Sequence, residues 1–131
     1  MLRRDDIELF VRETLGCACP DEVFERIDCR ANINLPGGIE LDYRITVGGR
    51  LLIFALNTDR FDCIASVLPL LTSAGIADRD NGGFNRFRLV FLTESPDRLR
   101  DKAFGLFESL AVDDRTHLHV VAKDDFPIRC D

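Results

Sequence analysis

The chain has 131 residues, 46% of them hydrophobic, and a formal net charge of −6. This length and composition predict one compact domain over residues 1–131, with enough apolar side chains for an ordinary core. The charge disfavours a nucleic-acid partner, because nonspecific phosphate binding depends on a surplus of Lys and Arg. No stretch is apolar for long enough to cross a bilayer, and no signal-peptide pattern follows Met1. We therefore expect no membrane partner and a cytoplasmic location.

Two amphipathic helices are predicted at the N-terminus. Apolar residues between positions 4 and 15 recur at helical spacing, and Gly16 is a typical stop. Pro20 then begins a short second helix that ends near Ile27.

From Cys29 onward the period of the apolar residues changes to two. This change predicts a first strand up to Leu35 and a second over residues 39–47. The Gly48-Gly49 turn joins the second strand to a third over residues 50–56. Because the third strand is almost entirely apolar, we expect it to be covered on both faces.

The next segment predicts a helix, a loop and a strand. Residues 59–74 are typical of a helix that Pro69 kinks or divides. Residues 78–83 are typical of a flexible loop, and an apolar run predicts a strand over residues 87–92.

A final helix begins at Ser95-Pro96-Asp97, and the last predicted strand spans residues 117–122. The predicted fold class is therefore α/β with a mixed (α+β) sheet. In order, it contains two N-terminal helices, a three-stranded antiparallel meander, and then helix, strand, helix and strand.

The last three strands are parallel if both crossovers are right-handed. Ligands of such sheets usually bind beyond the carboxyl ends of the parallel strands. The polar runs Asn57-Thr58-Asp59 and Thr93-Glu94-Ser95 follow two of these strands. The sequence therefore predicts a ligand crevice between these two runs.

Cys17 and Cys19 form the cluster that most clearly indicates a specific chemistry, either thiol reactivity or metal binding. The chain has five cysteines, an odd number, so reduced thiols are predicted rather than a disulfide framework. Cys19 falls at the predicted start of the second helix, where a thiolate is favoured. With Cys29, this pair is the candidate metal site, for zinc or an iron–sulfur cluster. A fourth thiolate could come from Cys63 or Cys130. The alternative is that the cysteines, Cys29 and Cys63 in particular, are small buried hydrophobic residues.

His117 and His119 lie two residues apart on a predicted strand, so both imidazoles face one side and could share a metal. A wet strand face is the alternative explanation. Two explanations are open for four aspartates, Asp59, Asp62, Asp78 and Asp80. They could bind a divalent cation together, or each could cap a helix or a turn.

The hairpin resembles the core of restriction-endonuclease-like nucleases. The residues that carry this resemblance are Asp42-Tyr43-Arg44-Ile45 and Gly49-Arg50-Leu51-Leu52-Ile53-Phe54-Ala55-Leu56, entered from a helix and left into another. In that family an Asp on one strand is followed by an acid-x-lysine triplet on the next. Asp42 matches the first position, but Phe54 and Leu56 stand in place of the acid and the lysine.

The resemblance therefore implies a shared fold without metal-assisted phosphodiester cleavage. Such a domain, retained for binding, would have a basic groove beside Asp42. The residues expected in this groove are Arg44, Arg50, Arg86 and Arg88.

Three functional hypotheses follow. The first is a non-catalytic binding or regulatory module, with a second copy of the chain as one partner through the sheet edge or the N-terminal helices. The second is a thiol or metal-binding protein centred on Cys17 and Cys19. The third is a catalytically inactive nuclease-like domain.

Overall fold

The computed structural model describes residues 4–16, 21–35, 38–60 and 64–126. Its helices are α1 (Arg4–Leu9), α2 (Ile64–Gly82) and α3 (Pro96–Glu108). Its strands are β1 (Ile27–Leu35), β2 (Ile39–Val47), β3 (Leu51–Asn57), β4 (Arg86–Thr93) and β5 (Thr116–Ala122). Within these ranges no helix combines the length and the apolar character needed to span a membrane.

The described strands form one five-stranded mixed sheet with the order β1-β2-β3-β4-β5. β1, β2 and β3 pair in antiparallel fashion, whereas β3, β4 and β5 run parallel. α2 and α3 connect the parallel strands, as crossovers of this kind must. The predicted mixed sheet is therefore confirmed.

The N-terminal region differs from the prediction. α1 continues as a π-helical turn over Phe10–Thr14, and Gly16 follows with a φ of 72°. The prediction of a second N-terminal α-helix is wrong, because Asp21–Glu25 form a 3-10 helix. So short a segment gains little from helix propagation, and the burial of Phe24 in the core is what anchors it.

Helix α2 is longer than predicted. It runs through Pro69 without division and includes residues 78–82, so the predicted flexible loop at residues 78–83 is wrong. The turn signal Asn81-Gly82-Gly83 is local, whereas the contacts that override it come from distant residues. Two ion pairs hold the last turns of α2, Arg44–Asp78 at 2.8 Å and Arg79–Asp113 at 2.7 Å.

Two hydrophobic clusters cover the two faces of the sheet. On the α1 face, α1, its π-helical turn and Phe126 pack against apolar side chains of β2, β3 and β4. On the opposite α2/α3 face, α2 and α3 pack against the alternate side chains of β3, β4 and β5. β3 serves both clusters, because every side chain from Leu51 to Leu56 is buried. The sequence prediction for this strand is confirmed.

The closest approach of α2 to the sheet occurs at Gly75. A Cβ at this position would fall within the ring of Phe87 on β4. We expect Gly75→Ala to lower the free energy of unfolding by about 1–3 kcal/mol, because overpacking displaces the ring or the helix. Urea unfolding followed by circular dichroism measures this change.

Gly105→Ala in α3 is the matched control. A Cβ there meets nothing within 4 Å. The substitution should stabilise the protein by roughly 0.5–1 kcal/mol, since Ala restricts the unfolded chain. Equal effects of the two substitutions would contradict close packing at Gly75.

Candidate functional site

A cleft of about 510 Å³ lies at the carboxyl ends of β3 and β4. Thr58 and Asp59 follow β3, and Thr93 and Ser95 lead from β4 into α3. A cleft is therefore present where the two polar runs of the sequence predict a crevice.

A hydrogen-bond network centred on Asp59 forms the floor of this cleft. The Asp59 carboxylate accepts from Thr93 Oγ1 at 2.6 Å and from the Glu94 backbone N–H at 2.9 Å. Lys123 Nζ lies 2.9 Å from the same carboxylate. The hydrogen bond from Thr93, with those from Lys123 and Glu94, lowers the pKa of Asp59 to about 2. Asp59 is therefore ionised at neutral pH, and three donors hold its carboxylate.

The wall of the cleft is cationic. Arg98 and Lys102 lie four residues apart on α3, on the same side of the helix, and both line the cleft. No ion pair joins either side chain to the described residues. Ser95 is the N-cap of α3, but its hydroxyl makes no capping hydrogen bond. These groups can donate to an anion, whereas Ile64 and Leu99 supply an apolar surface beside them.

The cations of the cleft were missed by the sequence analysis. Arg98 and Lys102 fall at helical spacing immediately after the Ser95 cap, so the two could have been assigned to the crevice from sequence alone. Lys123 could not, because it reaches Asp59 only through the pairing of β4 with β5.

The second polar cluster is an Arg–His patch, defined by Arg86, Arg88, His117 and His119. It lies on the α1 face at the amino ends of β4 and β5, where neither hydrophobic cluster includes these residues. Arg86 Nη1 is 3.2 Å from His117 Nε2, and Arg88 Nη1 is 3.0 Å from His119 Nε2. The two histidines predicted to share one side of a strand do so, but their observed partners are arginines.

Both imidazoles of the Arg–His patch are neutral in this arrangement. A guanidinium only donates, so each histidine Nε2 must accept and the ring proton must be on Nδ1. Burial and the charge of Arg88 lower the pKa of His119 to about 4. Burial, Arg88 and Arg86 also lower the pKa of His117.

The residues of the nuclease-like pattern do not form a metal site among the described residues. The Asp42 carboxylate accepts the Asn57 backbone N–H at the end of β3. Phe54 and Leu56 are fully buried on the α2/α3 face. Arg44, which the sequence analysis expects in a basic groove beside Asp42, forms an ion pair with Asp78. Arg86 and Arg88 meet instead at the opposite end of the parallel strands.

The three described carboxylates of the acidic set, Asp59, Asp78 and Asp80, do not gather around one cation either. Asp59 pairs with Lys123, Asp78 with Arg44, and Asp80 with Arg79. Asp62 lies outside the described residues. Across residues 4–16, 21–35, 38–60 and 64–126, no group of three or more metal-ligating side chains occurs.

Cys29 is disulfide-bonded, so the expectation of reduced thiols is wrong for this residue. A cysteine in a disulfide has no thiolate to give to a metal, so this bond and a metal bound by Cys29 are alternative states. Cys17 and Cys19 lie outside the described residues, as do Cys63 and Cys130. The zinc or iron–sulfur site on Cys17, Cys19 and Cys29 stays a prediction.

Comparisons with protein-family models, with curated proteins and with solved structures find no match to this chain. The nuclease-like resemblance therefore stays a prediction that rests on the sequence pattern alone.

The lowered pKa of His119 predicts a pH-dependent stability. The unfolded chain binds a proton near pH 6.5 and the folded protein only near pH 4, so stability is lost as the pH falls between these values. His119→Gln can still accept from Arg88 and does not titrate. We expect the wild-type protein to lose roughly 2–3 kcal/mol more than this variant over that interval.

Urea unfolding at several pH values measures the difference. Asp59 titrates lower, near pH 2, and the wild type and the variant share all their acidic groups. Parallel pH profiles of the wild type and the variant would show that the His119 ring is not held neutral by its surroundings.

Proposed function

We propose that this domain is a non-catalytic binding module for a small organic anion, which occupies the cleft at the carboxyl ends of β3 and β4. The observation that carries this proposal is the pair Arg98 and Lys102. Two like charges at this spacing on one helix face repel each other, and an anion between them removes that cost.

The state of Asp59 supports binding rather than catalysis. A general acid or base needs a pKa near the working pH and a free lone pair or proton. Asp59 is ionised at neutral pH and is engaged by Thr93, Glu94 and Lys123. Among the described residues of the cleft, this carboxylate therefore acts as a fixed part of the floor.

The lining of the cleft selects the class of ligand. Arg98, Lys102 and the Ser95 hydroxyl suit a carboxylate or a phosphate ester, and the N-terminus of α3 favours the same sign of charge. Ile64 and Leu99 suit an apolar body attached to that group. A small amphipathic anion is the ligand that satisfies both surfaces.

A titration with phenyl phosphate, observed by ¹H–¹⁵N NMR, tests this proposal. We expect saturable shifts confined to residues 58–59 and 93–102. Arg98→Ala with Lys102→Ala should weaken binding by at least about tenfold, because one charge-assisted hydrogen bond contributes more than 1.4 kcal/mol.

Arg26→Ala is the matched control, because Arg26 is exposed and does not line the cleft. It should bind phenyl phosphate as the wild type does. Shifts that survive in the double variant, or that fall outside the cleft, would refute this site.

The bonded state of Cys29 favours a second candidate function, a thiol-redox role. We propose that Cys29 belongs to a redox switch and that its disulfide is the oxidised form. The second cysteine of this bond is one of the other four, namely Cys17, Cys19, Cys63 or Cys130. In a reducing compartment a persistent disulfide is unusual, so its formation would itself be a signal.

A thiol count tests this candidate. Protein trapped with N-ethylmaleimide at lysis and then denatured should show no more than three free thiols of its five cysteines, since the bond of Cys29 uses two. After reduction all five should react. Cys29→Ser should free one further thiol in the trapped sample. Five free thiols without reduction would exclude the oxidised form in the cell.

A further inference from the structure

Arg88 is a buried cation that pairs with no carboxylate among the described residues. Its exposure is 8%, and it lies within β4 between β3 and β5. Its Nε is buried and has no hydrogen-bond partner, and its Nη1 lies 3.0 Å from Nε2 of the neutral His119 ring. Burial, with repulsion from Arg86, lowers the pKa of this guanidinium. A charge removed from water in this way is costly unless something pairs with it.

Arg79 shows how the same chain buries an arginine at low cost. Its exposure is 2%, yet Asp113 receives two hydrogen bonds from its guanidinium, at 2.9 and 2.7 Å. Thr116 Oγ1 and Asp80 complete its partners. Every side of that charge is compensated within the domain. The contrast indicates that no side chain of the described residues neutralises Arg88 as Asp113 neutralises Arg79.

The charges around Arg88 leave a local excess of two. Arg86 and Arg88 are cations, whereas His117 and His119 accept hydrogen bonds and are neutral. Among the described residues, the acids whose charges act on His117 are Asp114 and Asp113, in the loop before β5. Asp113 is committed to Arg79, and Asp114 offers its backbone carbonyl to Arg86 at 3.4 Å.

We propose that the Arg–His patch is a binding site for a small dianionic oxyanion, of which inorganic phosphate is the simplest member. Two guanidinium groups match two negative charges, and the fork geometry of arginine suits tetrahedral oxyanions. The two neutral imidazoles accept hydrogen bonds from the guanidinium groups and so orient them, and the buried Nε–H of Arg88 is a donor that no described group uses.

This site is distinct from the cleft of the proposed function. The patch lies at the amino ends of β4 and β5, whereas the cleft lies at the carboxyl ends of β3 and β4. Parallel strands place these ends at opposite edges of the sheet. The two sites can therefore be tested independently.

The experiment uses the full chain carrying Arg98→Ala and Lys102→Ala, so that the cleft does not contribute. Inorganic phosphate, sulfate and acetate are added at constant ionic strength, and the melting temperature and the histidine ring NMR signals are followed. We expect phosphate to raise the melting temperature in a saturable manner and to shift the signals of His117 and His119, with acetate much weaker.

Arg88→Met removes the buried charge while keeping the apolar stem. We expect this variant to melt at or above the temperature of its parent without phosphate, and to lose the phosphate response. A merely structural arginine behaves in the opposite way, as Arg79→Met should show by melting well below its parent. Arg86 is half-buried, so the Arg86→Gln variant should fold. It should bind phosphate at least about tenfold more weakly than its parent.

Three outcomes would overturn the assignment. One is that phosphate changes neither the melting temperature nor the histidine NMR signals of the parent protein. Another is a response that persists in both Arg86→Gln and Arg88→Met. The third is a patch filled by something larger, seen as Arg88-dependent binding of single-stranded DNA or as Arg88-dependent dimerisation by sedimentation.

Discussion

Strand β3 lies at the centre of the sheet and places no side chain in water from Leu51 to Leu56, so both faces of the sheet must be covered. α1 with Phe126 covers one face, and α2 with α3 covers the other. This requirement leaves polar groups little room in the middle of the parallel strands. They collect at the strand ends, as the cleft at one edge and the Arg–His patch at the other.

Arg79 and Arg88 show two outcomes of burying a charge in this fold. Arg79 belongs to α2 and reaches Asp113, so its charge stabilises the junction between the end of α2 and the loop before β5. Arg88 lies on a central strand where an apolar residue would serve packing better, and it meets no carboxylate among the described residues. A buried charge that no carboxylate neutralises is costly, so Arg88 is better explained by binding than by folding.

Much of the sheet could be predicted because its signals are local. Three elements are specified by neighbouring residues alone, without distant contacts. They are β2 by its strict alternation, the hairpin by Gly48-Gly49, and the start of α3 by Ser95-Pro96. The crevice followed from strand order alone. The end of α2 could not be predicted, because the local signal at Asn81 is overridden by the pairs Arg44–Asp78 and Arg79–Asp113, which join residues 34 positions apart.

The same distinction applies to the functional residues. The sequence predicts His117 and His119 on one face, and it predicts Arg86 and Arg88 beside Asp42, together with Arg44 and Arg50. That the two pairs belong to one patch depends on the parallel register of β4 and β5, in which Arg88 lies opposite His117. No periodicity encodes that register, since it is set by the crossover through α3 and by packing on both faces.

The overall charge and the two cationic sites are compatible because they act over different distances. The net charge of −6 belongs to the whole chain, and salt screens exposed charges beyond about 8–10 Å. Inside the Arg–His patch, hydrogen bonds from the guanidinium groups act at contact distance and in a less polar environment. A polyanion extends beyond the site and is repelled by the net charge of the domain, whereas a single small oxyanion meets only the site. The negative charge of the whole domain therefore favours small anions over nucleic acid at a site that either could contact.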